Sequence, residues 1–364
     1  MDAAFLERFR DPALCHDLLR RLEDELTGEL RFMEVCGTHT VAIFQSGLRS
    51  LLPKNVVHLS GPGCPVCVTH EAEVNAFLDL AGKPGVIIAT FGDLMRVPGR
   101  GGRNLKTAQA EGARVAVVYS PIDALALARK HPDDTVVFLG VGFETTAPTV
   151  AGTVLLAREE GLANFKVLSF HKLVPPALEV LLADDRARID AFILPGHVST
   201  IIGLEPYQFI ASRYGKPAVI TGFEPADILL SLVFLAHCRR EGRAEVRNFY
   251  RRAVSDEGNK QARAMMSRVF RTSDALWRGM GTIPRSGLEL ADDFEAFDAK
   301  KRFDLRLEDC PPLPGCKCGE VLRGLLRPDR CPLFKKTCTP SHPVGPCMVS
   351  TEGSCAAYYK YQAE

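Results

Sequence analysis

Short apolar runs recur through the middle of the chain, and each is followed by a cluster of glycine, proline, cysteine or histidine. The runs are rich in the β-branched residues that buried parallel strands favour, and helical patterns fill the gaps between them. They cover 56–59, 86–89, 115–119, 135–139, 167–170, 191–194 and 218–220. This alternation of strand and helix predicts an α/β fold with parallel sheets.

The length of the chain predicts more than one domain. A chain of 364 residues exceeds the usual size of a single domain. We expect two Rossmann-like βα domains, at 31–130 and 131–222. Residues 1–30 have an amphipathic helical pattern and 223–280 look helical, so we expect 1–30 and 223–364 to form a third domain that is mainly helical and irregular.

Charge and hydropathy exclude several classes of function. The chain has 45 basic and 44 acidic side chains, and its formal charge of +1 provides no field that would hold a polyanion. The N-terminal region carries charges throughout and lacks the apolar core of a signal peptide. No apolar run approaches the roughly 20 residues that cross a bilayer. We therefore expect a cytoplasmic protein that binds neither nucleic acid nor a membrane.

The cysteines are concentrated at the carboxyl end. Seven of the twelve lie in the last 55 residues, among prolines and short polar loops. In a chain without an export signal, this density points to metal binding rather than to disulfides. Structural zinc is the main competitor, but the tail lacks the C-x2-C knuckles of zinc ribbons. The tail therefore favours a 4Fe-4S cluster, which four thiolates hold, and makes the third domain an iron–sulfur domain.

Two further motifs bring thiols to turns, one after an apolar segment and one after the predicted strand at 56–59. Cys36 and His39 flank a turn at Gly37, so both can face a cleft. Such a pair can bind a soft metal, or the histidine can hold the cysteine as a thiolate. A buried cysteine beside a capping histidine explains this motif equally well. Cys64 and Cys67 form a C-P-x-C motif before a helical stretch, which favours a redox-active pair over a zinc half-site.

Four segments, taken in order, closely resemble the HypD family of nickel–iron hydrogenase maturation proteins. They are FMEVCGTH at 32–39, GPGCPVC at 61–67, LPGHVS at 194–199 and the tail from 316 to 361. The resemblance spans nearly the whole chain, and its most specific part is GPCMVSTEGSCAAYY at 345–359.

The resemblance implies an assembly role. With the small partner HypC, this family holds an iron atom while it acquires two cyanides and one carbon monoxide. HypE with HypF supplies the cyanide through a transient complex. The finished unit passes through HypC to the precursor of the hydrogenase large subunit.

The resemblance also implies roles for individual residues. In the family's spacing the ligands of the 4Fe-4S cluster fall on Cys316, Cys331, Cys338 and Cys355. An exchange of Cys318 for Cys316 stays open, because these two lie only two residues apart.

Cys36 would bind the iron, with His39 close by, and Cys64 and Cys67 would be the redox pair. Two more residues are candidates for the path between the cluster and the iron, namely His197 and Glu352.

Two alternatives belong to other classes of protein. A stand-alone iron–sulfur disulfide reductase would use the tail cluster and the thiol pair but would need neither Cys36 nor His39. A zinc-stabilised interaction scaffold would do no redox work. The sequence leaves open whether the chain performs catalytic turnover of its own.

Overall fold

The computed structural model describes residues 7–308 and 310–361. The strands, numbered along the chain, are β1 Leu30–Glu34, β2 Val56–Ser60, β3 Val86–Thr90, β4 Arg114–Val117, β5 Thr135–Gly140, β6 Phe165–Ser169, β7 His171–Lys172, β8 Ala191–Leu194, β9 Ala218–Ile220, β10 Val246–Asn248, β11 Phe270–Trp277 and β12 Gly281–Leu290.

The α-helices are numbered in the same way, and short 3-10 turns lie between some of them. They are α1 Pro12–Glu25, α2 Gly37–Gln45, α3 Leu48–Leu51, α4 Pro65–Val68, α5 Glu71–Ala81, α6 Leu105–Ala110, α7 Pro121–Lys130, α8 Ala147–Glu159, α9 Val174–Leu182, α10 Gly196–Ile202, α11 Phe209–Ser212, α12 Pro225–Arg240, α13 Lys260–Val269, α14 Ala299–Arg302, α15 Cys318–Leu322 and α16 Ser354–Tyr361.

Two parallel sheets form the framework of the molecule. One has five strands in the order β10-β9-β8-β1-β2, and the other has four in the order β4-β3-β5-β6. Every pair of neighbouring strands in both sheets is parallel. The predicted α/β fold with parallel, Rossmann-like sheets is confirmed, and each apolar run identified in the sequence overlaps one of these strands.

The chain crosses between the two sheets and returns. After β1 and β2 it builds the whole four-stranded sheet, and then β8, β9 and β10 complete the five-stranded sheet beside β1. Neither sheet is therefore confined to one of the predicted ranges, 31–130 and 131–222. Local patterns of hydrophobicity reveal strands but carry no information about which strands pair.

The helical interpretation of 223–280 is wrong in part. Helices α12 and α13 lie there, but 246–248 is the edge strand β10 and 270–277 is the first strand of an antiparallel hairpin with β12. The hairpin turns at Gly279 and Gly281, whose φ angles of +76° and +73° favour glycine. Its outer face is polar, which hides the strand pattern among the basic residues of this region.

The N-terminal helix packs within the predicted third part of the chain. Helix α1 is capped by Asp11, whose carboxylate accepts from the amide of Ala13 at 2.8 Å. Its buried Leu18 and Leu22 share one hydrophobic cluster with Leu229 and other side chains of α12. Residues 1–6 of the predicted helical segment lie outside the described residues.

The tail packs beside the five-stranded sheet through its last helix. Tyr358 of α16 contacts Phe44 of α2, with ring centroids 4.7 Å apart. The phenol oxygen of Tyr358 accepts from Arg49 Nη1 at 2.7 Å. These contacts hold the cysteine-rich segment against the helix that follows β1. No helix in the described ranges has the length and apolar character needed to span a membrane.

Candidate functional site

The loops that follow four strands of the five-stranded sheet meet at its carboxyl edge. The chain runs from β1 to its neighbour β2 on one side, and from β8 to β9 on the other, so the connections change direction between β1 and β8. Parallel sheets bind ligands outside their carboxyl ends at such a switch point. The loops and helices that begin at this edge carry Cys36, His39, Cys64, Cys67 and His197.

Cys36 is the buried N-cap residue of α2. Its amide donates to Oε2 of Glu34 at 3.0 Å, and the other oxygen of this buried carboxylate accepts from Thr40 Oγ1 at 2.6 Å. Burial and then the nearby Glu352 carboxylate raise the pKa of the Cys36 thiol to about 12, although a backbone hydrogen bond from His39 opposes the shift. Such a thiol keeps its proton at pH 7 until a metal ion displaces it.

His39 is a buried, neutral imidazole. Its Nε2 lies 2.9 Å from the carbonyl oxygen of Gly222 and donates to it, since a peptide carbonyl only accepts. The other ring nitrogen, Nδ1, is buried and has no hydrogen-bond partner among the described residues. Burial lowers the pKa of the imidazole to about 4. A neutral ring with a free lone pair is the form that binds a metal or accepts a proton.

The tail reaches the same edge of the sheet through Glu352. Oε1 of Glu352 accepts from Thr38 Oγ1 at 2.8 Å. A Cβ atom on Gly37 would lie 2.5 Å from the backbone oxygen of Glu352, so only glycine fits at this crossing. The structure thus brings the predicted Glu352 next to the first turn of α2.

His197 lies at the edge as well but makes a different contact. Its ring stacks on Phe223 with centroids 4.3 Å apart, and the same phenyl ring lies 4.5 Å from the ring of His39. His197 is exposed, whereas His39 is fully buried. Phe223 therefore contacts both histidines at this edge of the sheet.

Cys64 and Cys67 are both buried and carry free thiols. Cys64 is the N-cap of α4, and its Sγ accepts from the amide of Cys67 at 3.2 Å. Burial raises the pKa of the Cys67 thiol well above its usual value, and the neighbouring Cys64 adds to the shift. The carbonyl oxygen of the preceding Gly63 accepts from the amide of Gly37 at 3.1 Å. The loop that carries Cys64 therefore lies directly against the loop that carries Cys36.

A methyl group at Gly63 is expected to destabilise the protein and to displace Cys36. The added Cβ would lie 2.2 Å from the backbone nitrogen of Cys36 and 2.4 Å from the carbonyl carbon of Val35, and neither atom can rotate away. Overpacking of this kind costs roughly 1–3 kcal/mol. Urea unfolding of Gly63→Ala should show that loss. Gly28→Ala, whose Cβ would meet nothing within 4 Å, should show none, and an equal loss in both variants would contradict this close packing.

Four cysteines of the tail surround one cavity together with apolar side chains. The cavity is lined by Cys316, Cys331, Cys338 and Cys355 and by Leu333, Phe334 and Met348 among others. Burial raises the pKa of Cys355 well above its usual value, and the sulfur atoms of the other three cysteines reinforce the shift, because all four lie close together. The Sγ of Cys338 also accepts from the amide of Val344 at 3.4 Å.

These residues fit a 4Fe-4S cluster. Such a cluster takes four cysteine ligands and is tuned by hydrogen bonds to sulfur and by exclusion of solvent. Within 7–308 and 310–361, no three His, Cys, Asp or Glu side chains converge tightly enough to hold a single metal ion. In a cubane each thiolate binds a different iron, so its ligands stand further apart than those of one ion.

Cys318 and Cys347 form a disulfide with a Cα–Cα distance of 6.4 Å. Both line the same cavity as the other four cysteines. The exchange of Cys318 for Cys316 that the sequence left open is disfavoured in this state, because the Cys318 sulfur is already bonded.

Sequence reasoning missed two residues that contact Cys36 or the histidines. Glu34 is the last residue of β1, and its carboxylate accepts hydrogen bonds from the Cys36 amide and from the Thr40 hydroxyl. The available signal in the sequence was an acidic residue at the end of an apolar segment. Phe223 follows β9 and touches both histidines. Its place just past a strand end was a signal too, but its partners come from distant parts of the chain.

Comparison with known proteins shows the family of this chain. The model of the HypD family, described as the hydrogenase formation hypA family, matches residues 13–362. The hydrogenase maturation factor HypD of Cupriavidus necator is 44% identical over 98% of this chain and 97% of its own length. HypD of Azotobacter vinelandii is 45% identical over 98% of this chain and 96% of its own length. HypD of Escherichia coli K12 is 44% identical over 99% of this chain and 98% of its own length. The chain therefore belongs to the HypD family of hydrogenase maturation factors.

Proposed function

We propose that this chain, with HypC, is the scaffold on which the iron of a nickel–iron hydrogenase acquires two cyanides and one carbon monoxide. The observation that carries the proposal is that three sulfur sites lie in series. The Cys36 loop packs on the Cys64–Cys67 loop, and Cys67 lies within electrostatic reach of Cys355 in the tail cavity. Membership of a family of hydrogenase maturation factors supports the same role.

In this proposal Cys36 binds the cargo iron as a thiolate. Cyanide and carbon monoxide stabilise low-spin ferrous iron, which soft sulfur ligands suit. The thiol loses its proton when iron binds, and the nearby backbone of His39 and Thr38 favours the charged sulfur by lowering the pKa of Cys36 against the effect of burial. The unpartnered Nδ1 of His39 is a second donor atom or an acceptor for that proton.

Partners complete the site and use its product. Cys36 and His39 supply at most two ligands from this chain, so a cysteine of HypC fits the role of a further one. HypE with HypF docks transiently to deliver cyanide. HypC then carries the finished unit to the precursor of the large subunit.

The thiol pair and the tail serve the reductive steps. A 4Fe-4S cluster supplies or accepts electrons one at a time when it is bound. Oxidation of Cys64 and Cys67 to a disulfide releases two electrons and two protons, and reduction takes up the same number. We also propose that His197 and Glu352 act on the path between the tail and the iron. Their position at the sheet edge near Cys36 supports this role.

Replacing each cavity cysteine by serine tests where the cluster is held. We expect Cys316→Ser, Cys331→Ser, Cys338→Ser and Cys355→Ser to lose the brown colour, most of the iron and the inorganic sulfide of oxygen-free preparations. Cys318→Ser and Cys347→Ser remove a disulfide, which costs about 2–5 kcal/mol in small domains, but should keep the cluster. Visible absorption and iron and sulfide determination give the readout. Loss of the cluster from Cys318→Ser and not from Cys316→Ser would contradict the ligand set.

A further inference from the structure

The turn of the β11–β12 hairpin lies against helix α4, which contains Cys67 and begins after Cys64. The amide of Arg278 donates to the carbonyl oxygen of Val68 at 3.0 Å. Its side-chain Nε donates to the carbonyl oxygen of Thr69 at 2.9 Å. Val68 and Thr69 directly follow Cys67, so Arg278 is bound to the end of α4 by both its backbone and its side chain.

The same turn lies against the tail on its other side. A Cβ atom on Gly279 would lie 2.3 Å from the Cα of Gly319, so the two backbones touch. Gly319 is three residues from Cys316 and next to Cys318. The turn therefore bridges the loops that carry the two sulfur sites.

Arg278 brings a buried positive charge to this bridge. Its side chain is 3% exposed. Nη1 donates to the carboxylate of Glu71 at the start of α5, whereas Nη2 is buried and has no hydrogen-bond partner among the described residues. Leaving a buried donor unpaired destabilises a protein, and more so when the group is charged. A group kept at this cost is a candidate for a role other than stability.

Most of the ionisable groups that face Arg278 are acidic, and the cysteines among them can become negatively charged when the site is reduced. The acidic groups are the carboxylates of Glu71 and Glu73 and the thiols of Cys67 and Cys316. Glu73 has its own partner, because Lys172 Nζ lies 2.7 Å from Oε1 of this carboxylate. Burial raises the pKa values of Cys67 and Cys316, and the guanidinium of Arg278 acts against both shifts.

We propose that Arg278 is a positioning residue for electron transfer, which compensates the negative charge that reduction brings to the thiol pair and to the cysteine-lined cavity. Reduction of a Cys64–Cys67 disulfide takes two electrons and two protons, and any proton not yet delivered leaves a thiolate. An electron added to a cluster in the cavity leaves one more negative charge. In a buried region a nearby cation stabilises both reduced forms and so raises both midpoint potentials.

The inference rests on the proposed function where it concerns the cluster. The test is the direction in which the removal of one charged side chain shifts the two midpoint potentials. Oxygen-free full-length chain is titrated with dithionite and a dye oxidant, with cluster absorption and alkylation of Cys64 and Cys67 as separate readouts. Arg278→Gln should make both potentials more negative. Glu71→Gln, which removes the opposing charge, should make both more positive. The exposed pair of Arg271 and Glu289 on the same hairpin supplies matched controls, Arg271→Gln and Glu289→Gln, which should shift neither.

A merely structural role would disturb the site in the same way in both variants. Shifts of equal sign, or no shift in protein with a full cluster, would overturn the inference. If Arg278→Gln does not fold, Arg278→Lys keeps the charge and should keep near wild-type potentials, while Glu71→Gln still tests the sign. Should the chain contain no iron or sulfide, the cluster proposal fails, and the thiol readout alone decides about Arg278 by the same criterion.

Discussion

Cys36→Ala is expected to abolish hydrogenase maturation while the protein keeps its fold and its brown colour. In the proposed function, the alanine removes the thiolate that this chain would offer to the cargo iron. The carboxylate of Glu34 still accepts from the backbone amide of residue 36. Hydrogenase activity should fall more than about 100-fold, because even residues that only support a metal ligand contribute 10–100-fold. The measurement is hydrogenase activity in a host whose own copy of the gene is deleted.

Cys238→Ala is the matched control for this variant. Cys238 is also a buried free thiol, but it lies in α12. It should leave hydrogenase activity near the wild-type level. Full activity in Cys36→Ala would contradict the assembly role and would favour the stand-alone disulfide reductase, which needs no ligand at this position.

The second large effect concerns the thiol pair. Cys64→Ser and Cys67→Ser should each stop maturation and leave the absorption spectrum of the cluster unchanged. Serine preserves the shape of the buried side chain and the acceptor for the Cys67 amide, but it cannot form a disulfide. The readouts are hydrogenase activity and visible absorption of the same oxygen-free preparations.

Cys15→Ser on α1 controls for the loss of a thiol elsewhere in the chain. It should change neither readout. Unchanged hydrogenase activity in Cys64→Ser or Cys67→Ser would refute the redox role of the pair. Loss of the cluster from these variants would show instead that the pair supports the tail cavity.

The fold was largely predictable because burial on both faces leaves a strong local signal. Val86–Thr90 and Ala191–Leu194 are buried at every position and stand out as apolar runs. Strand β1 is weaker as a signal, since Arg31 and Glu34 interrupt its apolar residues. The pairing of β1 with β8 was not predictable, because it depends on contacts between segments far apart in the sequence.

The candidate site followed from where its residues stand relative to strand ends. Cys64 and His197 come just after predicted strands, and parallel sheets bind their ligands there. Cys36 follows an apolar segment that was not among the predicted strands and forms β1. The side chains that surround them gave no comparable signal. Arg278 lies on a hairpin that the sequence did not reveal, and its role depends on contacts with Thr69 and Glu71, about 200 residues earlier.

The infrared spectrum of the chain purified with HypC under exclusion of oxygen tests the central proposal most directly. Bound cyanide and carbon monoxide absorb in a region where protein does not. We expect bands of both ligands in the complex and none when Cys36 is replaced by alanine. A complex that contains its iron and sulfide but shows no such bands, in cells that are making hydrogenase, would contradict the proposal that iron receives its ligands here.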